Sequence, residues 1–210
     1  MKRMRIGSTP LEVSRIGYGC MRLSDDRREA LASVKTALDE GINLFDHADV
    51  YGRGAREEIF SGIWAEVPGL RDRIVLQSKC GIRNAGEPGP RAPKRYDFSC
   101  DHIVRSVEGS LRRLKTDYLD ILLLHRPDLL MEPAEVARAF DNLHRAGKVR
   151  YFGVSNHTGA QIQLLQKWLD QPIVVNQLLV SMLDSELLES GTKQSSRPLV
   201  RRIRGDGTLE

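Results

Sequence analysis

The sequence predicts an α/β fold of the (β/α)8 barrel type, and three observations lead there. Apolar runs of strand length alternate with helical patterns along most of the chain. The strand candidates are apolar on both faces, as parallel strands covered by crossover helices must be. Five of them end in polar side chains: Asp46, Lys79, His125, Ser155 with Asn156, and Gln177. A barrel builds its active site at one mouth from the ends of several strands, whereas an open doubly wound sheet places its ligand at a single switch point.

Each element has a local justification. The turn Ile6-Gly7-Ser8-Thr9-Pro10 before Leu11-Glu12-Val13 predicts a hairpin that precedes the first barrel strand and plugs the lower end. Strands are expected near Arg15 to Cys20, Asn43 to Asp46, Ile74 to Lys79, Leu119 to His125, Arg150 to Asn156 and Ile173 to Gln177. Between them, Ala30, Val34 and Leu38 share a helix face that Gly41 ends. Ser99 caps a helix carrying Ile103, Val107, Leu111 and Leu114 inward. Pro133 opens another, with Val136, Phe140 and Leu143 buried and Gly147 past its end. Thr158 caps a fourth, carrying Ile162, Leu165 and Leu169. Neither Gly52-Arg53-Gly54-Ala55-Arg56-Glu57 nor Gly17-Tyr18-Gly19-Cys20-Met21-Arg22 completes a dinucleotide-binding glycine fingerprint.

Composition narrows the function classes. With 210 residues, 40% hydrophobic and 29% charged, the chain can bury a real core in one domain. Its apolar runs fall far short of the roughly 20 residues of a membrane span, and Met1-Lys2-Arg3 is not followed by a signal-like apolar segment. We expect a cytoplasmic protein. Cys20, Cys80 and Cys100 have no ligand spacing, and an odd count argues for free thiols. The net charge of +4 lies mostly in residues 192–210, where Lys193, Arg197, Arg201, Arg202 and Arg204 face only Asp206 and Glu210. A basic tail without aromatics does not predict nucleic-acid binding. We expect residues 1–190 to form the barrel domain and 191–210 a disordered tail.

The strand ends suggest chemistry when taken together. A free tyrosine titrates near about 10 and is a sluggish acid at neutral pH; an adjacent ammonium favours the phenolate and eases proton donation. Lys79 can supply that ammonium to Tyr51, Asp46 can neutralise the lysine, and His125 can hydrogen-bond a carbonyl oxygen. His47 and Asp49 are expected only to orient the loop.

The segments GINLFDHADVYG, IVLQSKCG, LDILLLHRPD, KVRYFGVSNH and VVNQLLVSMLD, in this order, resemble the strand motifs of the aldo-keto reductase superfamily over about Arg5 to Glu189. The resemblance implies a TIM-barrel-type fold and reduction of an aldehyde or ketone by hydride transfer from NADPH or NADH, with no metal, the family tendency favouring NADPH. It implies Tyr51 as proton donor, Lys79 and Asp46 as its tuning pair, and His125 as the carbonyl-orienting group. It further implies that Ser155, Asn156 and Gln177 hydrogen-bond the nicotinamide amide, and that Gly19, Cys20 and Met21 lie under the cofactor. The partner implied is a small-molecule carbonyl compound.

The sequence departs from the family after Gln177. A barrel of this kind takes about 250 residues, and only a short helix, Ser185 to Glu189, is expected before the tail. We therefore expect an incomplete barrel of about six of the eight strands, a chain truncated or diverged by a changed reading frame, open sheet edges that favour oligomers, and weak cofactor binding. Two rivals follow. One is a cofactor-binding or regulatory protein that has lost turnover; the other is a metal-dependent barrel hydrolase using His47, Asp49, His125 and His157.

Overall fold

The computed structural model describes residues 1–180; the helix expected at Ser185 to Glu189 and the basic tail lie outside the described residues. The chain opens on an antiparallel hairpin of β1 (Arg3–Arg5) and β2 (Glu12–Ser14). There follow β3 (Tyr18–Gly19), α1 (Arg27–Asp39), β4 (Leu44–Asp46), α2 (Ala55–Phe60), α3 (Ile63–Glu66) and β5 (Val75–Cys80). A small antiparallel ribbon, β6 (Ile82–Arg83) with β7 (Arg95–Tyr96), interrupts the alternation. The series resumes with α4 (Cys100–Leu114), β8 (Leu119–Leu124), α5 (Pro133–Arg145), β9 (Val149–Ser155), α6 (Gly159–Gln166) and β10 (Ile173–Gln177).

Among the described residues, six strands form one parallel sheet in the order β10-β9-β8-β5-β4-β3. The sheet is strongly curled. In a flat sheet the four spacings between β4 and β10 would amount to about 19 Å, yet the side chains of Asp46 and Gln177 meet at 3.2 Å. This is an incomplete barrel.

Its two faces hold different cores. Inside the lower barrel, Val75, Ile121 and Leu123 pack with Val13 of the hairpin, and Ile6, Leu11, Leu44, Tyr151 and Val175 flank them. The hairpin thus plugs the lower end as expected, and Gly7 (φ +51) lets it approach so closely that a Cβ there would stand 2.9 Å from the Val174 carbonyl oxygen. Outside, helices cover the sheet in one continuous cluster that includes Phe45, Phe60, Phe140 and Phe152. Phe140 of α5 stacks on Phe152 of β9 at 4.1 Å between centroids. At the lower end Asp120, buried in β8, accepts hydrogen bonds from the Leu76 amide and from Arg150 and pairs with Arg71. The two guanidinium groups also lie against the Tyr118 ring, 3.7 and 3.8 Å from its centroid.

The helix signals match their expected caps: Ser99 accepts from the His102 amide, Thr158 forms a capping box with Gln161, Pro133 opens α5, and Gly41 and Gly147 take positive φ. Four expectations need correction. The first barrel strand is only Tyr18–Gly19, because the Arg15 amide bonds the Lys2 carbonyl and extends the hairpin, while Cys20 begins a 3-10 turn through Arg22. The buried face of α1 is Ala30, Leu31, Val34 and Ala37, with Leu38 half-buried at its edge. Leu169, expected on the fourth helix, lies past the end of α6 at Gln166, although it is still buried. The segment between β4 and β5 contains α2 and α3, helices of fewer than two turns each.

Candidate active site

The upper ends of β4, β5, β8, β9 and β10 carry the polar residues that the sequence places there. Lys79 follows Val75 and Gln77 on the inner face of β5, by the two-residue period of a strand. Its side chain is 3% exposed, so its charge needs partners. It has them: the ammonium donates to both Asp46 carboxylate oxygens at 2.6 Å, to the His47 carbonyl at 2.9 Å and to the Tyr51 hydroxyl at 3.2 Å. The same nitrogen lies 5.1 Å from the Tyr51 ring centroid. Asp46 also accepts from Gln77 Nε2 at 2.6 Å and from Gln177 Nε2 at 3.2 Å. Three donors from two strands, Gln77 and Lys79 of β5 and Gln177 of β10, therefore hold one carboxylate.

Tyr51 stands at the start of a 3-10 turn, Tyr51–Gly54, and meets the His125 ring edge to face at 5.8 Å. His125 Nδ1 is buried without a hydrogen-bond partner. Burial first, then the charges of Lys79, Arg126 and Lys94, push the imidazole pKa down to about 3. The ring is neutral across the physiological range. It is thus a group that can donate or accept a hydrogen bond without adding charge.

Beside this cluster lie the remaining candidates. Asn156, at φ 59, turns its amide Nδ2 onto Ser155 Oγ at 2.9 Å, and its backbone N–H bonds the Gln177 carbonyl at 2.9 Å. Gln177 Oε1 is buried with no partner, an acceptor still free for a donor. Gly19 is exposed, and nothing lies within 4 Å of where a Cβ would stand, which leaves open floor beside Asp46, its partner in the sheet. Met21 is 53% exposed. Cys20 differs from the other two: its side chain is fully buried in the outer core, and burial pushes its thiol well up, so only its backbone can face a ligand.

His47 and Asp49, expected to orient the loop, follow β4 with their amides bonded to the Gln77 and Lys79 carbonyls, Asp49 in a turn, and their side chains are turned away from solvent. Alternation along the chain turns His47 outward from Asp46, into the core against Phe60 at 4.6 Å, edge to face, with neither ring nitrogen hydrogen-bonded. Burial and, secondarily, Lys79 hold its pKa down to about 3. Asp49 has one buried, unpartnered carboxylate oxygen; burial and the nearby Glu57 charge push its pKa up to about 7. Among the described residues no three His, Cys, Asp or Glu side chains gather to hold a metal. The four residues of the hydrolase rival therefore do not assemble.

Sequence reasoning missed Glu57 and Arg113. Glu57 is completely buried in α2 and paired with Arg113 of α4 at 2.8 Å. A signal existed: a glutamate three positions before Phe60, on the face that must be buried, requires a cation.

The Aldo/keto reductase family model matches residues 15–201. The oxidoreductase YcsN of Bacillus subtilis is 42% identical over 197 residues, covering 91% of this chain and 65% of that protein. The oxidoreductase YdhF of Escherichia coli is 40% identical, covering 100% of this chain and 72% of the relative. A 6-dehydroglucose reductase of Agrobacterium fabrum is 40% identical, covering 91% and 66%. Among solved structures, the aldo-keto reductase AKR11C1 from Bacillus halodurans, in its holo form, superposes with a TM-score of 0.79 at 34% identity, covering 90% of this chain and 61% of that one. The chain spans about two thirds of the length of these relatives. A match that runs through every strand bearing these mouth residues is more than a likeness of one motif: the chain belongs to the aldo/keto reductase family.

Proposed function

We propose that this chain carries the site of an NAD(P)H-dependent reduction of an aldehyde or ketone to an alcohol. One observation carries the reading: the Lys79 ammonium, paired with Asp46 at 2.6 Å, lies 3.2 Å from the Tyr51 hydroxyl. A cation held beside a phenol favours the charge left behind when the phenol gives up its proton. Tyr51 donates that proton to the oxygen of the reduced carbonyl; Lys79 and Asp46 compensate the charge; neutral His125 hydrogen-bonds the same oxygen and orients it.

The nicotinamide cofactor, when bound, supplies the hydride. Ser155, Asn156 and the free acceptor of Gln177 fit the carboxamide's donors and acceptor, and the open floor at Gly19 with exposed Met21 gives a flat ring room to lie. The family tendency favours NADPH over NADH. The names of the relatives support a small-molecule substrate, and one of them acts, by its name, on a dehydro-sugar.

The test is isotopic. With deuterium on the transferring carbon of the reduced cofactor and a simple aldehyde as substrate, the label is expected on the carbinol carbon of the product. Product that forms without the label would overturn the hydride-transfer reading.

A further inference from the structure

Tyr51 is tied to Lys79 by one hydrogen bond only, and the backbone that follows it is unfavourable. Gly52, Arg53 and Gly54 take φ of 57, 55 and 94, three successive residues in the left-handed region, the middle one not a glycine. The two glycines take it freely; Arg53, a non-glycine residue, holds it where its surroundings support it.

Arg53 itself reaches the Ala85 carbonyl at 3.3 Å and Glu87 at 3.8 Å on the exposed side; on the buried side the supports converge on one carboxylate. Glu57, one turn further on in α2, is fully buried. Its Oε2 accepts from Arg113 Nε at 2.9 Å and pairs with Arg113 Nη2 at 2.8 Å, and its Oε1 accepts from Ser78 Oγ at 2.7 Å. Arg113 in turn covers Gly54: a Cβ there would stand 2.6 Å from Arg113 Cδ and Nε. Ser78 is the neighbour of Lys79 on β5, pointing to the opposite face. Glu57 thus joins the two ends of the Tyr51–Lys79 contact: through Arg113 it fixes the far end of the turn that begins with Tyr51, and through Ser78 it fixes the strand that carries Lys79.

We propose that the buried Glu57–Arg113 pair is the positioning device of the proton donor, holding the Tyr51 hydroxyl on the Lys79 ammonium by clamping the left-handed turn between α4 and β5. The inference rests on Tyr51 being the proton donor. Glu57 and Arg113 do not touch the reacting atoms; they act through Tyr51.

A double-mutant cycle on the full chain tests this, with NADPH and a simple aldehyde. Glu57→Gln keeps the shape and the Ser78 contact and removes the charge that grips Arg113. It is expected to lower kcat about tenfold, with the KM for NADPH unchanged within about twofold, as for an interaction felt only at the chemical step. Added to Tyr51→Phe, it is expected to cost less than about twofold more, because what it positions is gone. The solvent deuterium isotope effect on kcat should rise in Glu57→Gln; a loss of folded enzyme alone leaves that ratio unchanged. Gly54→Ala, which pushes a methyl group into Arg113, should reproduce the pattern. A readout without turnover is the ring carbon resonance of Tyr51, identified by its absence in Tyr51→Phe: it should shift in Glu57→Gln while that of Tyr118, at the lower end, does not. Additive losses in the cycle, or an unchanged isotope effect and resonance, would overturn the clamp. Wild-type turnover in Tyr51→Phe itself would instead remove the proton-donor reading on which the clamp rests.

Discussion

Gln177, at the end of β10, donates a hydrogen bond of 3.2 Å to Asp46, at the end of β4, across the curled sheet. The sixth parallel strand in chain order thereby helps to hold the carboxylate that neutralises Lys79. Gln177→Leu removes this donor and leaves Asp46 with Lys79 and Gln77. A stability loss of about 1.5 to 3 kcal/mol is expected in urea unfolding, the range for a hydrogen bond to a charged group.

Lys79→Met is far more severe. It leaves Asp46 as a largely buried carboxylate with no cation, which costs about 3 to 5 kcal/mol, and it removes the charge beside Tyr51. Both the melting temperature and carbonyl reduction should fall. Adding Asp46→Asn should recover much of the stability and none of the activity. Wild-type values in both assays would make Lys79 a solvated strand end.

The lower end supplies the contrast. Asp120→Asn weakens the network of Arg71, Arg150 and the Leu76 amide, far from the mouth. A melting temperature several degrees lower is expected, by about 2 to 3 kcal/mol, with kcat of the remaining folded protein unchanged. In a barrel, the end opposite the active site serves stability.

The pH dependence has a defined sign. His47 and His125 have native pKa values near 3, below their ordinary 6.5, so unfolding takes up protons and their contribution, full above about 6.5, is lost as pH falls toward 3. Asp49 has its pKa raised from 3.8 to about 7, so the native state holds a proton that the unfolded state releases, and stability is lost as pH rises from about 4 to about 7. Among these three groups, two protons against one amount to a loss on acidification of about 1.4 kcal/mol per pH unit between pH 4 and 6.5, and His102 and His157, whose pKa values burial also lowers, act in the same direction. Asp49→Asn should steepen that acid loss and raise stability above pH 7; His47→Leu should flatten it. Urea midpoints against pH check both.

Most of the architecture was legible because it rests on local rules. Pro133, Ser99, Thr158, Gly41 and Gly147 punctuate the helices by backbone chemistry that does not depend on distant contacts. The strand-end polar residues were legible as a set, since the two-residue period of β5 puts Lys79 and Val75 on one face. What escaped depends on tertiary partners. Arg15 reads as strand and is claimed by the hairpin through the Lys2 carbonyl. His47 and Asp49 look like loop polar residues, and their burial is decided by Phe60 and α4, which no window around residue 47 contains. The Glu57–Arg113 pair joins positions 56 residues apart.

The most direct measurement is carbonyl reduction by the full chain and by Tyr51→Phe, followed as NADPH consumption, with cofactor affinity measured by fluorescence on the same preparations. Removing one oxygen removes the donated proton and leaves Lys79, Asp46 and the strand ends in place. Turnover is expected to fall about a hundredfold or more, with cofactor affinity within about twofold of the parent. Unchanged turnover in Tyr51→Phe would contradict the assignment of Asp46, Lys79 and Tyr51 as the proton-donating centre.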